Sequence, residues 1–280
     1  MQGRIFVNDH GIESIDFFDP SAVKLLNKAL LYVHYGLEYW DIPDGYLCPP
    51  VPGRADYIHH LADLFEGAKG SHIRALDIGT GANCIYPIIG SAEYGWSFVG
   101  SESEETAFQN AFGLVEKNPR LKGQIEIRLQ ENTNRFFHGI IKKDELFEYT
   151  ICNPPFFKSA KEAKAANRKK YKSLNPKSTR SKNLNFGGQA NELWTPGGEE
   201  LFIHNMIHES RQFSNSCYWF STLVSKESIL QSVFKAFRRA KVKEYKTVEM
   251  TQGNKKSRFV AWTYLDSKQR KLWEETRISK

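Results

Sequence analysis

Apolar residues recur at helical spacing from Val23 through Leu26, Leu30, Val33 and Leu37, directly after Pro20 and Ser21. Intervals of three and four place these side chains on one helical face, and Ser21 reads as the N-cap. A second helical pattern covers 54–67, with Tyr57, Ile58, Leu61, Leu64 and Phe65 on its apolar side. Between the two, residues 40–53 contain four prolines and two glycines. That density predicts an ordered loop rather than a helix.

From residue 73 the rhythm changes. Short apolar runs at 73–78, 97–100, 125–129 and 149–152 read as buried strands, with helical stretches between them, clearest at 103–117. Further on, 198–213 reads as helix, 217–224 as strand and 226–239 as helix. Two final strands, 242–250 and 258–265, are joined by Gln-Gly-Asn-Lys-Lys-Ser, a hairpin turn. Strands alternating with helices predict an α/β fold: a parallel sheet with helices on both faces, closed by an antiparallel pair. No internal repeat is visible. The expected division is an N-terminal helical and Pro-rich extension, 1–68, packed on a main domain, 69–280.

Composition narrows the class. The chain has 280 residues, 40% apolar and 25% charged, the profile of a globular domain able to bury a sizeable core. No apolar run approaches the roughly 18–20 residues that span a bilayer, and the N-terminus carries no apolar signal stretch. Cys48, Cys84, Cys152 and Cys217 lie far apart with no Cys-x-x-Cys pair, which predicts neither a zinc ribbon nor a disulfide framework. A cytoplasmic protein without metal or membrane attachment is the expectation.

Charge is segregated along the chain. Residues 1–157 hold 13 Lys/Arg against 21 Asp/Glu, whereas 158–182 hold ten basic residues and one acid. Residues 226–280 hold 15 basic residues against six acids. An acidic first half joined to a basic second half suggests two different partners.

Two stretches carry candidate chemistry. Leu76-Asp77-Ile78-Gly79-Thr80-Gly81-Ala82-Asn83 sits where the first strand turns into a helix, and Glu102 closes the second strand. Glycines there let the backbone bend tightly and approach a ligand, Asp77 can accept a hydrogen bond, and an acid after the next strand suits ribose hydroxyls. Cys84 stands where a dinucleotide fingerprint has its third glycine. That argues against NAD, whose pyrophosphate needs the open helix N-terminus, but not against S-adenosylmethionine, which has no phosphate.

The second stretch, Asn153-Pro154-Pro155-Phe156, follows the fourth strand, where open parallel sheets bind ligands. The prolines remove backbone donors and leave rigid carbonyl acceptors beside the Asn amide oxygen. Acceptors next to an aromatic plane suit a planar amine. This Asn-Pro-Pro-aromatic sequence resembles the motif of methyltransferases that act on amino groups. Joined with 40–58 (Trp-Asp-Ile-Pro-Asp-Gly-Tyr through Gly-Arg-Ala-Asp-Tyr-Ile), the Asp77–Pro87 turn, Asn185-Phe-Gly-Gly and Gly197-Gly-Glu, it resembles the ribosomal RNA large-subunit methyltransferase F family over about residues 16–265.

The resemblance implies a class I, Rossmann-like methyltransferase with a seven-stranded, mostly parallel sheet whose last strand is antiparallel. It implies S-adenosylmethionine as cofactor and N6 of an adenine in 23S ribosomal RNA as acceptor. By the same resemblance Arg54 contacts the cofactor carboxylate. Gly79, Thr80, Gly81 and Asn83 of the turn, with Asp77, cradle it. Glu102 takes the ribose hydroxyls, Thr133 lies near the adenine, and Asn153 borders both ligands. Asn153, Pro154, Pro155 and Phe156 are the candidate catalytic group. No histidine is assigned a catalytic role.

A target base must leave any stack to reach that motif. Lys158, Lys161, Lys164, Arg168, Lys169, Lys170 and Lys172, with Lys177, Arg180 and Lys182 beyond them, follow it directly and predict a loop that meets RNA phosphates. Arg238, Arg239, Lys241, Lys243, Lys255, Lys256 and Arg258 are candidates to extend that surface. The expected partner is 23S rRNA or a large-subunit assembly intermediate, and the protein is expected to be a monomer. Glutamine-amide methylation of a protein, adenine methylation of DNA and a non-catalytic RNA-binding module stay open on the residues alone.

Overall fold

The computed structural model describes residues 4–8, 11–174, 190–252 and 255–278. The Asn185-Phe-Gly-Gly stretch, Lys177, Arg180 and Lys182 lie outside the described residues, as do the side chains of Lys170 and Lys172.

A two-stranded hairpin, β1 (Ile5–Val7) and β2 (Glu13–Ile15), precedes the helix α1 (Pro20–Tyr35). Sequence periodicity set the start of α1 two residues late. Asp19 is the N-cap: its carboxylate accepts the Ser21 amide, and Pro20 occupies the first turn, where its missing N–H costs nothing. The buried face also differs, carrying Ala22, Asn27 and Leu31, while Val33 is exposed and Leu37 lies beyond the Gly36 cap. The helix α2 (Val51–Ala62) starts inside the stretch read as loop, because Pro52 again fits a first turn.

The main sheet is built from β3 (Arg74–Ile78), α3 (Ile85–Tyr94), β4 (Ser97–Glu102), α4 (Glu105–Lys117), β5 (Ile125–Leu129) and β6 (Phe147–Cys152). It continues through α5 (Ala160–Leu174), α6 (Ala190–Leu193), α7 (Gly198–Ser210), β7 (Cys217–Leu223), α8 (Leu230–Ala240), β8 (Glu244–Gln252), β9 (Lys255–Thr263) and α9 (Ser267–Trp273). The strand order is β5-β4-β3-β6-β7-β9-β8. β9 runs antiparallel to both neighbours, β7 and β8, so the last strand of the chain is inserted between them. Gln252 already pairs with Lys255, so the final hairpin is tighter than the six-residue turn read from the sequence.

Two apolar layers cover the sheet. One contains Leu31, Trp40, Tyr57 and Ile58 of the N-terminal segment together with Ile88, Phe98, Tyr149 and Phe259. The extension therefore packs into the same core as the sheet. The Pro-rich loop is pinned by the Trp40 indole, which donates to the Asn83 carbonyl at 3.0 Å, and by Asn110, which donates to the carbonyls of Asp41 and Ala82. These contacts set the loop against the glycine turn.

Among the described residues no helix is long and apolar enough to cross a membrane.

Candidate active site

β3, β4 and β6 are parallel, so their carboxyl ends converge on one edge. That edge is where β3 delivers the glycine turn, β4 delivers Glu102 and β6 delivers Asn153. Gly79 and Gly81 both take positive φ, +70° and +66°, the left-handed backbone that glycine adopts without strain. The Gly79 and Thr80 amides bond back to the Ser101 carbonyl, and the Gly81 amide donates to Glu102 Oε2 at 2.9 Å. The other oxygen of Glu102 takes the amides of Ser103 and Glu104. Burial pushes the Glu102 carboxyl above its usual range, and the three amides oppose that shift.

A cleft of about 430 Å³ opens over this edge. Arg54, Gly79, Thr80, Gly81, Asn83, Glu102, Thr133, Asn153 and Pro155 all line it. Pieces far apart in sequence are thus brought to one cavity, as the motif reading expects. Asp77 lies beneath, fully buried. Pro154 is buried too, and Phe156 is half-buried one residue past Pro155, but neither it nor Pro154 lines the cleft. The aromatic walls come instead from Tyr46, Tyr86, Phe136, Trp194 and Phe202.

Several buried polar atoms here have no hydrogen-bond partner: both carboxylate oxygens of Asp77, the Thr80 hydroxyl, Asn153 Oδ1 and Trp194 Nε1. Unmet groups of this kind are costly in a folded interior, so their concentration at one cleft points to ligands that satisfy them. Burial drives the Asp77 carboxyl up to about 7, with the adjacent Thr80 hydroxyl opposing the shift, the nearby Glu102 adding to it and Arg54 opposing it. The Arg54 guanidinium donates to Tyr86 Oη at 2.8 Å and lies over the Tyr86 ring. It therefore stands at the cleft wall already oriented.

The roof comes from two segments with no motif of their own. Glu192 of α6 accepts the Leu47 amide at 3.0 Å, joining the segment before α7 to the Pro-rich loop. Residues 133–136 form another wall. Their backbone is held from below by Glu209 of α7, which accepts the amides of Phe136, Phe137 and His138 at 3.1, 2.9 and 2.8 Å. Sequence reasoning passed over Glu192, Trp194 and Glu209. Trp194 stands three residues before the Gly197-Gly198 pair, which is the one signal that pointed its way.

The basic segment differs from the loop expected. Residues 160–174 are the helix α5, because alanines at 160, 163, 165 and 166 supply helix-forming spacing between the lysines. Ala163 is buried, while Lys161, Lys164 and Arg168, at intervals of three and four, share an exposed face. Lys158 and Lys169 are exposed as well. Among the described residues no three His, Cys, Asp or Glu side chains are grouped to hold a metal ion.

S-adenosylmethionine is tested by these donors and acceptors. Its sulfonium and ammonium need anionic or carbonyl neighbours, its ribose needs a carboxylate, and its own carboxylate needs a cation. Asp77, Glu102 and Arg54 answer these needs, and the cleft has room; the residues fit the cofactor.

Comparison with known proteins agrees. A family model described as RNA methyltransferase matches residues 1–266. A protein of Bacteroides thetaiotaomicron named ribosomal RNA large subunit methyltransferase F is 50% identical over 275 residues, 94% of this chain and 90% of that one. Its namesake from Photobacterium profundum is 47% identical, over 97% of this chain and 87% of its own. Among solved structures, the human METTL16 catalytic domain bound to MAT2A 3′UTR hairpin 1 superposes with a TM-score of 0.81 at 32% identity, covering 95% of this chain and 88% of that one. The N-terminal domain of human METTL16 in complex with SAH gives a TM-score of 0.74 at 28% identity, covering 95% of this chain and 90% of that one.

Proposed function

The chain belongs to the ribosomal RNA large subunit methyltransferase F family of RNA methyltransferases, and from that membership we propose that it methylates N6 of one adenine in large-subunit (23S) ribosomal RNA. The observation that carries the reading is the Asn153 amide oxygen, buried at the cleft with no partner. An acceptor in that state is what an exocyclic amine requires.

When bound, S-adenosylmethionine supplies an electrophilic methyl group on sulfur. Arg54 holds its carboxylate, the Gly79–Gly81 turn with Asp77 holds its methionine and ribose parts, Glu102 binds the ribose hydroxyls, and Thr133 lies toward its adenine. The adenine amine of the substrate is a weak nucleophile, because its lone pair is delocalised into the ring. Asn153 Oδ1 and the Pro154 carbonyl each accept one N–H, which aligns the nitrogen and favours a less planar form. Pro155 keeps that pair of acceptors rigid, and Trp194, which lines the cleft where Phe156 does not, offers a ring beside the base. Placement of this kind contributes roughly 7–11 kcal/mol in well-oriented systems. No strong base is needed, since the product cation loses its proton readily. Lys158, Lys161, Lys164, Arg168 and Lys169, exposed directly after the motif, steer phosphates toward it.

The substrate presented is protein-free 23S rRNA or an assembly intermediate, met in the cytoplasm by a monomer. The test is mass spectrometry of nucleosides from 23S rRNA of cells with and without the gene. One N6-methyladenosine is lost without it and returns with the wild-type gene but not with Asn153→Ala. An unchanged rRNA profile refutes the assignment.

A further inference from the structure

The sheet separates two groups of cations that adjoin each other in sequence. Lys255 and Lys256 begin β9 at the end of the sheet that bears the cleft. Arg238, Arg239 and Lys241 close α8, and Lys243 precedes β8, at the opposite end. The register fixes this: Glu244 pairs with Thr263 at the amino end of β8, while Gln252 pairs with Lys255 at its carboxyl end. The distance between the two edges is the length of a strand such as β7, seven residues, or about 20 Å. Arg238, Arg239, Lys241 and Lys243 therefore cannot join the α5 cations over the cleft.

These four side chains are exposed, and among the described residues none of them meets a carboxylate. The acids beside them are engaged elsewhere: Glu244 pairs with Arg270, and Asp266 caps α9. The helix dipole accounts for cations in the last turn of α8, but not for Lys243 on the next strand. Four unneutralised charges within six residues repel one another, a cost that an anionic partner removes. Next to them the Tyr245 ring, 47% exposed, stacks on Phe234 with centroids 5.1 Å apart and planes 26° apart. A flat aromatic face beside exposed, unneutralised cations is the chemistry that recognises single-stranded nucleic acid, by phosphate pairing and base stacking.

We propose that this edge, formed by the end of α8 and the start of β8, is a second RNA-binding surface. It grips a segment of the substrate remote from the target adenine while α5 and the cleft hold the adenine itself. The proposal rests on the RNA reading above and adds a separate anchor, which makes a large folded RNA a better substrate than a short strand.

The test compares the wild type with the Arg238→Ala/Arg239→Ala/Lys241→Ala/Lys243→Ala variant, using a protein-free 23S rRNA transcript and a ten-nucleotide single-stranded RNA as probes. Filter binding is measured across a salt series, and S-adenosylmethionine binding is followed by calorimetry as a check on the fold. For the transcript, the expected result is a loss of affinity of tenfold or more and a fall of about 3 in the slope of log Kd against log salt, since each phosphate contact contributes about 0.7–0.9. The cofactor binds both proteins alike, and the ten-mer loses less affinity than the transcript, because it is too short to occupy the cleft and this edge together. A variant with lysine at 238 and 239 keeps the wild-type slope, because phosphate pairing needs only the charge. Equal transcript affinity and slope in the two proteins overturns the proposal. So does a defect seen only with ribosomal particles and not with the naked transcript, which assigns the surface to an acidic protein. If the wild type binds neither RNA while still binding the cofactor, the RNA reading fails and the proposal fails with it.

Discussion

The Gly81 amide donates to Glu102 at 2.9 Å, so the acid that ends β4 is fastened to the turn that ends β3. One carboxylate thereby shapes the glycine turn and, in the proposed function, also binds the ribose. Both jobs depend on adjacent parallel strands delivering their ends to the same level, where Asp77 pairs with Gly100 and Ile78 with Ser101.

Replacing Glu102 separates the two jobs. Glu102→Ala leaves the buried Gly81 amide without an acceptor, which costs about 1–3 kcal/mol, and removes the ribose contact. Glu102→Gln keeps a carbonyl for Gly81 but loses the second anionic oxygen. Calorimetry is expected to show S-adenosylmethionine affinity at least tenfold weaker in both. Differential scanning fluorimetry is expected to show a drop in melting temperature for both, larger for Ala, because the Gln amide nitrogen cannot accept from the Ser103 and Glu104 amides that Glu102 Oε1 holds. Wild-type affinity in the Gln variant removes Glu102 from the ribose site.

Asp77 makes cofactor binding depend on pH. Its folded-state pKa, about 7, lies above the usual carboxylate range because the carboxyl is fully buried, with Thr80 and Arg54 only partly offsetting that burial. The protonated acid is therefore the form the cofactor-free fold favours. Its contribution to stability is complete below the unfolded value and is lost as pH rises through 7. A cationic cofactor reverses the preference, so binding releases a proton. Affinity is expected to rise with pH between about 5 and 7, by up to tenfold per unit. Asp77→Asn is expected to flatten that profile and to raise the melting temperature of the free protein more at pH 8 than at pH 5. A sloping profile in the Asn variant locates the titration in another group.

Much of this site is legible in the sequence. β5 has the predicted bounds, β3 and β7 come within a residue of theirs, and the elements that carry Gly79, Glu102 and Asn153 are strand ends whose apolar runs are short and uninterrupted. What escaped prediction depends on contacts distant in sequence. Glu192 reaches Leu47 across 145 positions, and Glu209 reaches Phe137 across 72. Neither carboxylate looks different from a solvated helical glutamate in the sequence. The basic segment misled for a local reason: its charge density obscured the alanine spacing that makes α5 a helix. The two cationic groups near the C-terminus looked continuous because the chain crosses the whole sheet between them.

Glu209 lies outside the cleft lining, which makes it a positioning residue. Its carboxylate fixes three consecutive amides behind the cleft wall that contains Thr133 and Phe136. Glu209→Ala frees those amides, and the wall loosens. KM for S-adenosylmethionine is expected to rise several-fold with kcat little changed, and hydrogen exchange at 133–138 is expected to quicken. Glu209→Gln, which keeps a carbonyl acceptor, restores part of the loss. A fall in kcat at unchanged KM contradicts a role confined to the cofactor wall.

Asn153 gives the most direct test of the chemistry. Its Oδ1 is buried and unpartnered, so removing it costs the free protein no hydrogen bond. Asn153→Ala is therefore expected to fold with a melting temperature near wild type. It should bind the cofactor with a modest loss, since Arg54, Asp77 and Glu102 remain. The methyl-transfer step loses an acceptor aimed at the reacting amine, and one such preorganised group is typically worth about 10²–10³ in rate. Single-turnover transfer of tritiated methyl to the 23S rRNA transcript is expected to slow by that factor. Asn153→Asp retains an oxygen at the same place but brings a second charge toward Asp77, so it should also be slow and should recover as pH falls. A rate for Asn153→Ala within about tenfold of wild type, in a protein that still binds cofactor and RNA, would mean that the amine is held by the Pro154 carbonyl and base stacking alone.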